Sequence, residues 1–94
     1  MPRRIDRLTR FKRDYRRELS GEHGKKLDVL LRETVSILAA DHPLPPRYRD
    51  HALSGEWKDF RDCHIRPDLV LIYRKTTEGA LELVRLGSHS ELGL

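Results

Sequence analysis

Cysteine is almost absent from this sequence: Cys63 is the only one in 94 residues. An internal disulfide and a zinc site built on paired thiolates are therefore excluded. Long apolar runs are missing too, so no segment can cross a bilayer as a helix, and Met1 to Asp6 lacks the apolar stretch of a secretory signal. The cytoplasm is the expected location, and no membrane partner is expected. Lysine is scarce, with five of the nineteen cations, the other fourteen being arginine. Repeats and low-complexity segments are absent.

What is present suits one small globular unit. A length of 94 residues supports a single domain, 1–94, with one modest core. Hydrophobic residues make up 37% and charged residues 36%, so few positions are left for the interior beyond those the core needs. The net charge of +4 and the arginine bias favour a nucleic-acid partner or an acidic protein over a neutral metabolite, because the planar guanidinium suits phosphate. Between Arg3 and Arg17 eight cations face only Asp6 and Asp14. That basic ridge is either a solvated face or a docking surface for RNA or an acidic partner.

Along the chain, Arg4 to Leu8 reads as a short edge strand. Thr9 is the expected cap of a first helix in which Phe11, Tyr15 and Leu19 form one stripe, ending at Ser20-Gly21. A second helix is predicted from Glu22 to Ala40, since Leu27, Leu30, Leu31, Thr34 and Leu38 follow the 3.6-residue repeat. The prolines after Asp41 end it. Strands follow at Lys58 to Ile65, Leu69 to Lys75 and Ala80 to Leu86, joined by turns short enough for antiparallel hairpins. The fold class is α+β, in the order β-α-α-β-β-β, with the two helices on one face of the sheet.

Period-2 alternation sets His64 on the same strand face as Phe60 and Asp62, with Asp68 just across the Pro67 turn. Arg85 shares parity with Leu81 and Leu83, where a charge needs a partner or a ligand. It is open to two readings, a phosphate clamp or a salt bridge with Asp62 or Glu82. His89 follows four residues later, and His51 lies in a loop after the prolines. His23 and His42 read as surface residues. Trp57 and Tyr73 could stack on bases or pack in the core, and Cys63 reads as a buried apolar residue.

The ordered series His51-x-Leu-x-Gly-x-Trp57-Lys-x-Phe-Arg-Asp62-x-His64-Ile-x-Pro-Asp68-x-x-Leu71-Ile-Tyr73, answered by Arg85-x-Gly-x-His89, resembles the YafQ branch of the RelE/ParE toxin superfamily. The resemblance implies a RelE-like domain that cuts mRNA on the translating ribosome, with the ribose 2′-hydroxyl as nucleophile and neither metal nor cofactor. It implies a cognate antitoxin of the DinJ/RelB kind, in a hetero-oligomer with the toxin, and functional positions at His51, His64, Asp68, Arg85 and His89. Where the family usually carries phenylalanine, four residues after the last histidine, this sequence has Gly93.

The chemistry fits those residue types. One group must take the 2′-hydroxyl proton, another must protonate the leaving 5′-oxygen, and a cation should neutralise the phosphorane-like transition state. His89 is expected as general acid, His64 with Asp68 on the base side, Arg85 on the phosphate and His51 in support. Two rivals stand beside this: a metal held by His51, His64, Asp68 and His89, and a binding module of the same fold that does not cleave RNA, as in ParE toxins.

Overall fold

The strand Leu69–Lys75 opens with five consecutive buried residues rather than an alternation, the pattern of a strand covered on both faces. In the computed structural model, which describes residues 2–94, it is the middle strand of a five-stranded sheet in the order β1-β5-β4-β3-β2. The strands are β1 (Arg4–Arg7), β2 (His51–Ala52), β3 (Arg61–Arg66), β4 (Leu69–Lys75) and β5 (Ala80–Gly87). The helices are α1 (Thr9–Leu19), α2 (Leu27–Ala39) and α3 (His89–Leu92). All neighbouring strands are antiparallel except β1 and β5, which the intervening chain allows to run parallel.

As expected, α1 and α2 cover one face. Phe11, Leu27, Leu31 and Leu38 pack there against Leu69, Leu71, Tyr73 and Leu81, and each fully buried leucine contributes about 1.5–3 kcal/mol. The opposite face has a smaller cluster of Val70, Ile72, Val84 and Leu92, covered by Leu8, Leu53, Trp57 and Phe60. Trp57 meets Phe60 edge-to-face at 5.3 Å, and Tyr73 is 1% exposed. Tyr73 thus packs in the core, and Trp57, partly buried, packs over the smaller cluster.

Several boundaries differ from expectation. Leu8, not Thr9, occupies the cap position of α1, and its carbonyl accepts the Lys12 amide. The second helix begins at Leu27 rather than Glu22, because the chain folds back tightly between the helices. A Cβ at Gly24 would stand 2.1 Å from the Leu19 carbonyl oxygen. The strand expected from Lys58 starts at Arg61, since Gly55–Trp57 forms a 3-10 turn.

Two short elements were not expected. The two residues of β2 add an edge strand beside β3, and α3 follows β5, announced by a capping box in which Ser88 and Glu91 bond reciprocally. Gly93, at φ +72°, ends α3 in the left-handed region. No helix among the described residues is long and apolar enough to cross a membrane.

Candidate active site

The site lies on the sheet face away from α1 and α2, and strand register builds it. His51 stands opposite Asp62, Asp62 opposite Ile72, and Ile72 opposite Arg85. Directly opposed residues of antiparallel strands point to the same face, so one row crosses four strands with three polar residues around an isoleucine. A second row runs His64, Val70, Gly87. Gly87 leaves room at its end, and the chain turns there into α3, whose first residue is His89.

A bulge corrects the parity expected of Arg85. The β4–β5 register slips between Ile72 and Tyr73, which pair with Arg85 and Leu83 and leave Val84 as the extra residue. An extra residue reverses the alternation beyond it. Leu81 and Leu83 therefore face the helices, whereas Arg85 comes round to the histidine face.

The ring of His89 stands edge-on to that of His64, with centroids 4.9 Å apart and planes at 78°. Asp62, His64 and His89 each offer a donor atom within 4.8 Å of the other two. Asp62 is 1% exposed, and its Oδ1 receives no hydrogen bond. His51 Nδ1 comes within 3.1 Å of that oxygen, but its N–H donates to the Arg49 carbonyl at 2.7 Å. A carbonyl can only accept, so neutral His51 carries its proton on Nδ1 and leaves Nε2 as the basic atom. Arg49 is itself left-handed, at φ 48°.

Burial pushes the Asp62 carboxyl above the ordinary carboxylate range, and the charges of His51, His64 and His89 pull it only partly back. The cluster is thus a half-buried histidine and an exposed one over a buried acid short of hydrogen bonds. Two adjacent imidazoles near neutral pH can hold and pass protons in both directions. Cys63 lies on the other face, where burial pushes its thiol up and keeps it unreactive.

Two expectations about partners change. Asp68 does not join the His64 cluster; its Oδ1 lies 2.8 Å from His23 Nε2, with Glu22 beside them. A proton shared with the neighbouring Glu22 carboxyl, and the hydrogen bond from His23, hold the Asp68 carboxyl below its usual range. The acid beside His64 is Asp62, two residues back on the same strand face, as alternation already indicated. His23, read as a surface residue, is the partner of Asp68.

Arg85 pairs with neither Asp62 nor Glu82. Its Nε and Nη2 donate to Asp14 at 2.7 and 3.2 Å. Burial alone would raise the Asp14 carboxyl, but hydrogen bonds from Arg85 and the Leu86 amide, with the charges of Arg85 and Arg17, outweigh it and leave it low. Nothing in the sequence marks Asp14 except that it is one of two acids in a basic stretch.

Against known proteins, residues 3–93 match the YafQ family, described as the bacterial toxin of a type II toxin–antitoxin system. The chain is 50% identical to the mRNA interferase toxin YafQ of Escherichia coli K12 over 75 residues, 80% of each chain. It superposes on YafQ in the crystal structure of the E. coli DinJ–YafQ complex with a TM-score of 0.82 at 33% identity, covering 96% of this chain and 97% of that one. A metal-bound toxin from Helicobacter pylori matches with a TM-score of 0.84 at 43% identity, over 96% and 98%.

Proposed function

This chain belongs to the YafQ family of type II toxins, and from that premise we propose that it is a cytoplasmic endoribonuclease that cleaves mRNA on the translating ribosome. The observation that carries the reading is the His64–His89 pair, two titratable rings 4.9 Å apart on one open face. Binding alone needs no such pair. His89 protonates the leaving 5′-oxygen, and His64 accepts the 2′-hydroxyl proton. Asp62 beneath them offsets the positive charge that one imidazole carries during transfer. Arg85 bears on the phosphate, His51 offers Nε2 to the ribose, and Asp68 remains at the rim with His23.

Such a site reads few base edges, so the ribosome supplies the in-line placement of ribose and phosphate, worth several kcal/mol of the barrier. A free toxin would poison its own cell, and a DinJ-like antitoxin that covers the basic surface or the cleft is the partner this implies. The test is end-mapping of mRNA on translating ribosomes. His64→Ala and His89→Ala are expected to lower cleavage about 10²-fold or more with thermal stability retained. Stable variants that cleave like wild type would remove the assignment, and efficient cutting of naked RNA would remove the ribosome from it.

A second reading has its own observation. Asp62, His64 and His89 converge within 4.8 Å, and Asp62 Oδ1 accepts no hydrogen bond. One carboxylate and two imidazoles fit a divalent transition metal such as zinc or copper, and a related H. pylori toxin is metal-bound. An ion there would engage the lone pairs that proton transfer uses. Cleavage by chelator-treated, metal-free protein separates the two: retained activity favours acid–base chemistry, and activity restored only by added metal favours the ion.

A further inference from the structure

Aspartate is a poor helix former, yet Asp14 stands in mid-α1 and is 2% exposed. Its carboxylate accepts four N–H groups: Arg85 Nε at 2.7 Å and Nη2 at 3.2 Å, the Leu86 amide at 3.0 Å and Arg17 Nη1 at 3.0 Å. These partners explain why the helix carries an acid. β1 accompanies β5 only from Ala80 to Leu83, so beyond Leu83 the outer edge of β5 has no neighbouring strand. There the Leu86 amide goes to Asp14, and its carbonyl accepts Arg17 Nη2 at 2.7 Å. Two side chains of α1 thus satisfy that edge as a strand would.

Arg17 then reaches further: its Nε–H donates to Glu18 Oε2 at 3.1 Å, and the same nitrogen forms an ion pair with Glu91 Oε2 at 3.2 Å. Glu91 is one half of the capping box that starts α3 at His89. Gly87 accommodates the crossing, because a Cβ there would stand 2.7 Å from Arg17 Nη2 and 3.1 Å from Glu91 Oε1. One face of α1 therefore holds both C-terminal members of the site. Of the five N–H donors on Arg85, Asp14 uses two and leaves three for a phosphate.

Resting on the reading of Arg85 and His89 as parts of a ribonuclease site, we propose that Asp14 and Arg17 are positioning residues for mRNA cleavage. Asp14 orients the Arg85 guanidinium, and Arg17, through Glu91, fixes the start of α3 and with it His89. Neither touches the reacting atoms. Their effect is on geometry, where small displacements at the reacting centre cost large factors in rate.

The experiment measures kcat and KM separately on translating ribosomes for wild type, Asp14→Asn, Arg17→Gln and Arg17→Lys, and repeats Asp14→Asn in an Arg85→Ala background. Asp14→Asn keeps an acceptor for the Leu86 amide. It should lower kcat about tenfold or more with KM little changed, and should add little once Arg85 is gone. Arg17, 40% exposed, can be changed with little risk to folding. Arg17→Gln should lower kcat severalfold, with part recovered by Arg17→Lys, and this pair carries the test if Asp14→Asn does not fold.

In parallel, NMR of the free proteins follows the ring contact between His64 and His89, which Arg17→Gln should weaken whatever the activity. Wild-type kcat and an intact ring contact in the folded variants would overturn the proposal, as would an equal loss from Asp14→Asn with and without Arg85. A wild type that cleaves no mRNA would instead count against the functional reading, leaving the ring contact to decide the positioning.

Discussion

Asp62 and Asp14 are buried carboxylates with opposite surroundings, and they should respond oppositely to replacement by asparagine. Asp62 Oδ1 has no hydrogen bond, and burial raises its pKa. A buried acceptor left unsatisfied costs about 1–3 kcal/mol, and more when it is charged. Asp62→Asn should therefore raise Tm at pH 7, by about 4–8 °C for each kcal/mol recovered, while lowering mRNA cleavage. A variant no more stable than wild type would show that the three histidines already compensate the charge. For Asp14 the folded pKa lies below the ordinary value, so its contribution is present above the unfolded pKa of about 3.9 and is lost as pH falls through the folded value. Wild type should be the more stable of the pair at neutral pH, with the gap closing below about pH 4. Denaturant melts from pH 2 to 7 would reveal this, and parallel profiles would count against it.

Glycines decide where the helical elements can begin and stop. Gly24 lies so close to the Leu19 carbonyl that a methyl group there would meet it at 2.1 Å, and backbone at that contact has little freedom to retreat. Gly24→Ala should cost about 1–3 kcal/mol, the range for overpacking, and loosen the turn that seats α2. Equilibrium unfolding in urea would detect it; an unchanged midpoint would mean that the turn relaxes freely. At Gly93 the constraint is conformational, with open space around it and φ at +72°. Gly93→Phe supplies the aromatic ring usual in the family at a position that disfavours any Cβ by about 1–2 kcal/mol. Its Tm should fall even if the ring increases cleavage. A variant as stable as wild type would mean that the tail beyond Leu92 adopts another path.

As a whole, the molecule separates its proposed chemistry from a second surface. The histidines occupy one face of the sheet; on the other, between α1, α2 and the β1–β5 pair, lies a groove of about 510 Å³. Phe11, Tyr15, Leu31 and Val35 line it, with the cations Arg7, Lys12, Arg16 and Arg32 against the single acid Asp28. An apolar floor with a cationic excess suits an acidic, amphipathic antitoxin segment. Arg16→Glu with Arg32→Glu should weaken the toxin–antitoxin complex, most strongly at low salt, and leave mRNA cleavage by the free toxin near wild type. Titration calorimetry at two ionic strengths measures the first and end-mapping the second. Unaltered affinity would move the antitoxin elsewhere on the surface.

Local pattern alone determined much of this protein. The 3.6-residue repeat from Leu27 to Leu38 marked α2, alternation in β3 put Asp62 and His64 on one face, and the spaced series from His51 to His89 carried the family resemblance, because these signals act over a few neighbouring residues. Ser88-x-x-Glu91, a capping box, is also a local signal for α3. What only the tertiary structure decided arises between distant segments. The bulge at Val84 appears only when β5 pairs with β4, and it turns Arg85 to the histidine face. Asp14 meets Arg85 because β1 stops at Arg7 and leaves an edge of β5 for α1 to satisfy. Asp68 goes to His23 because the turn before α2 brings Glu22 and His23 beside the Pro67 turn. In each case the partner is chosen by unpaired backbone groups and charges that meet only on folding, and spacing along the chain carries no record of that meeting.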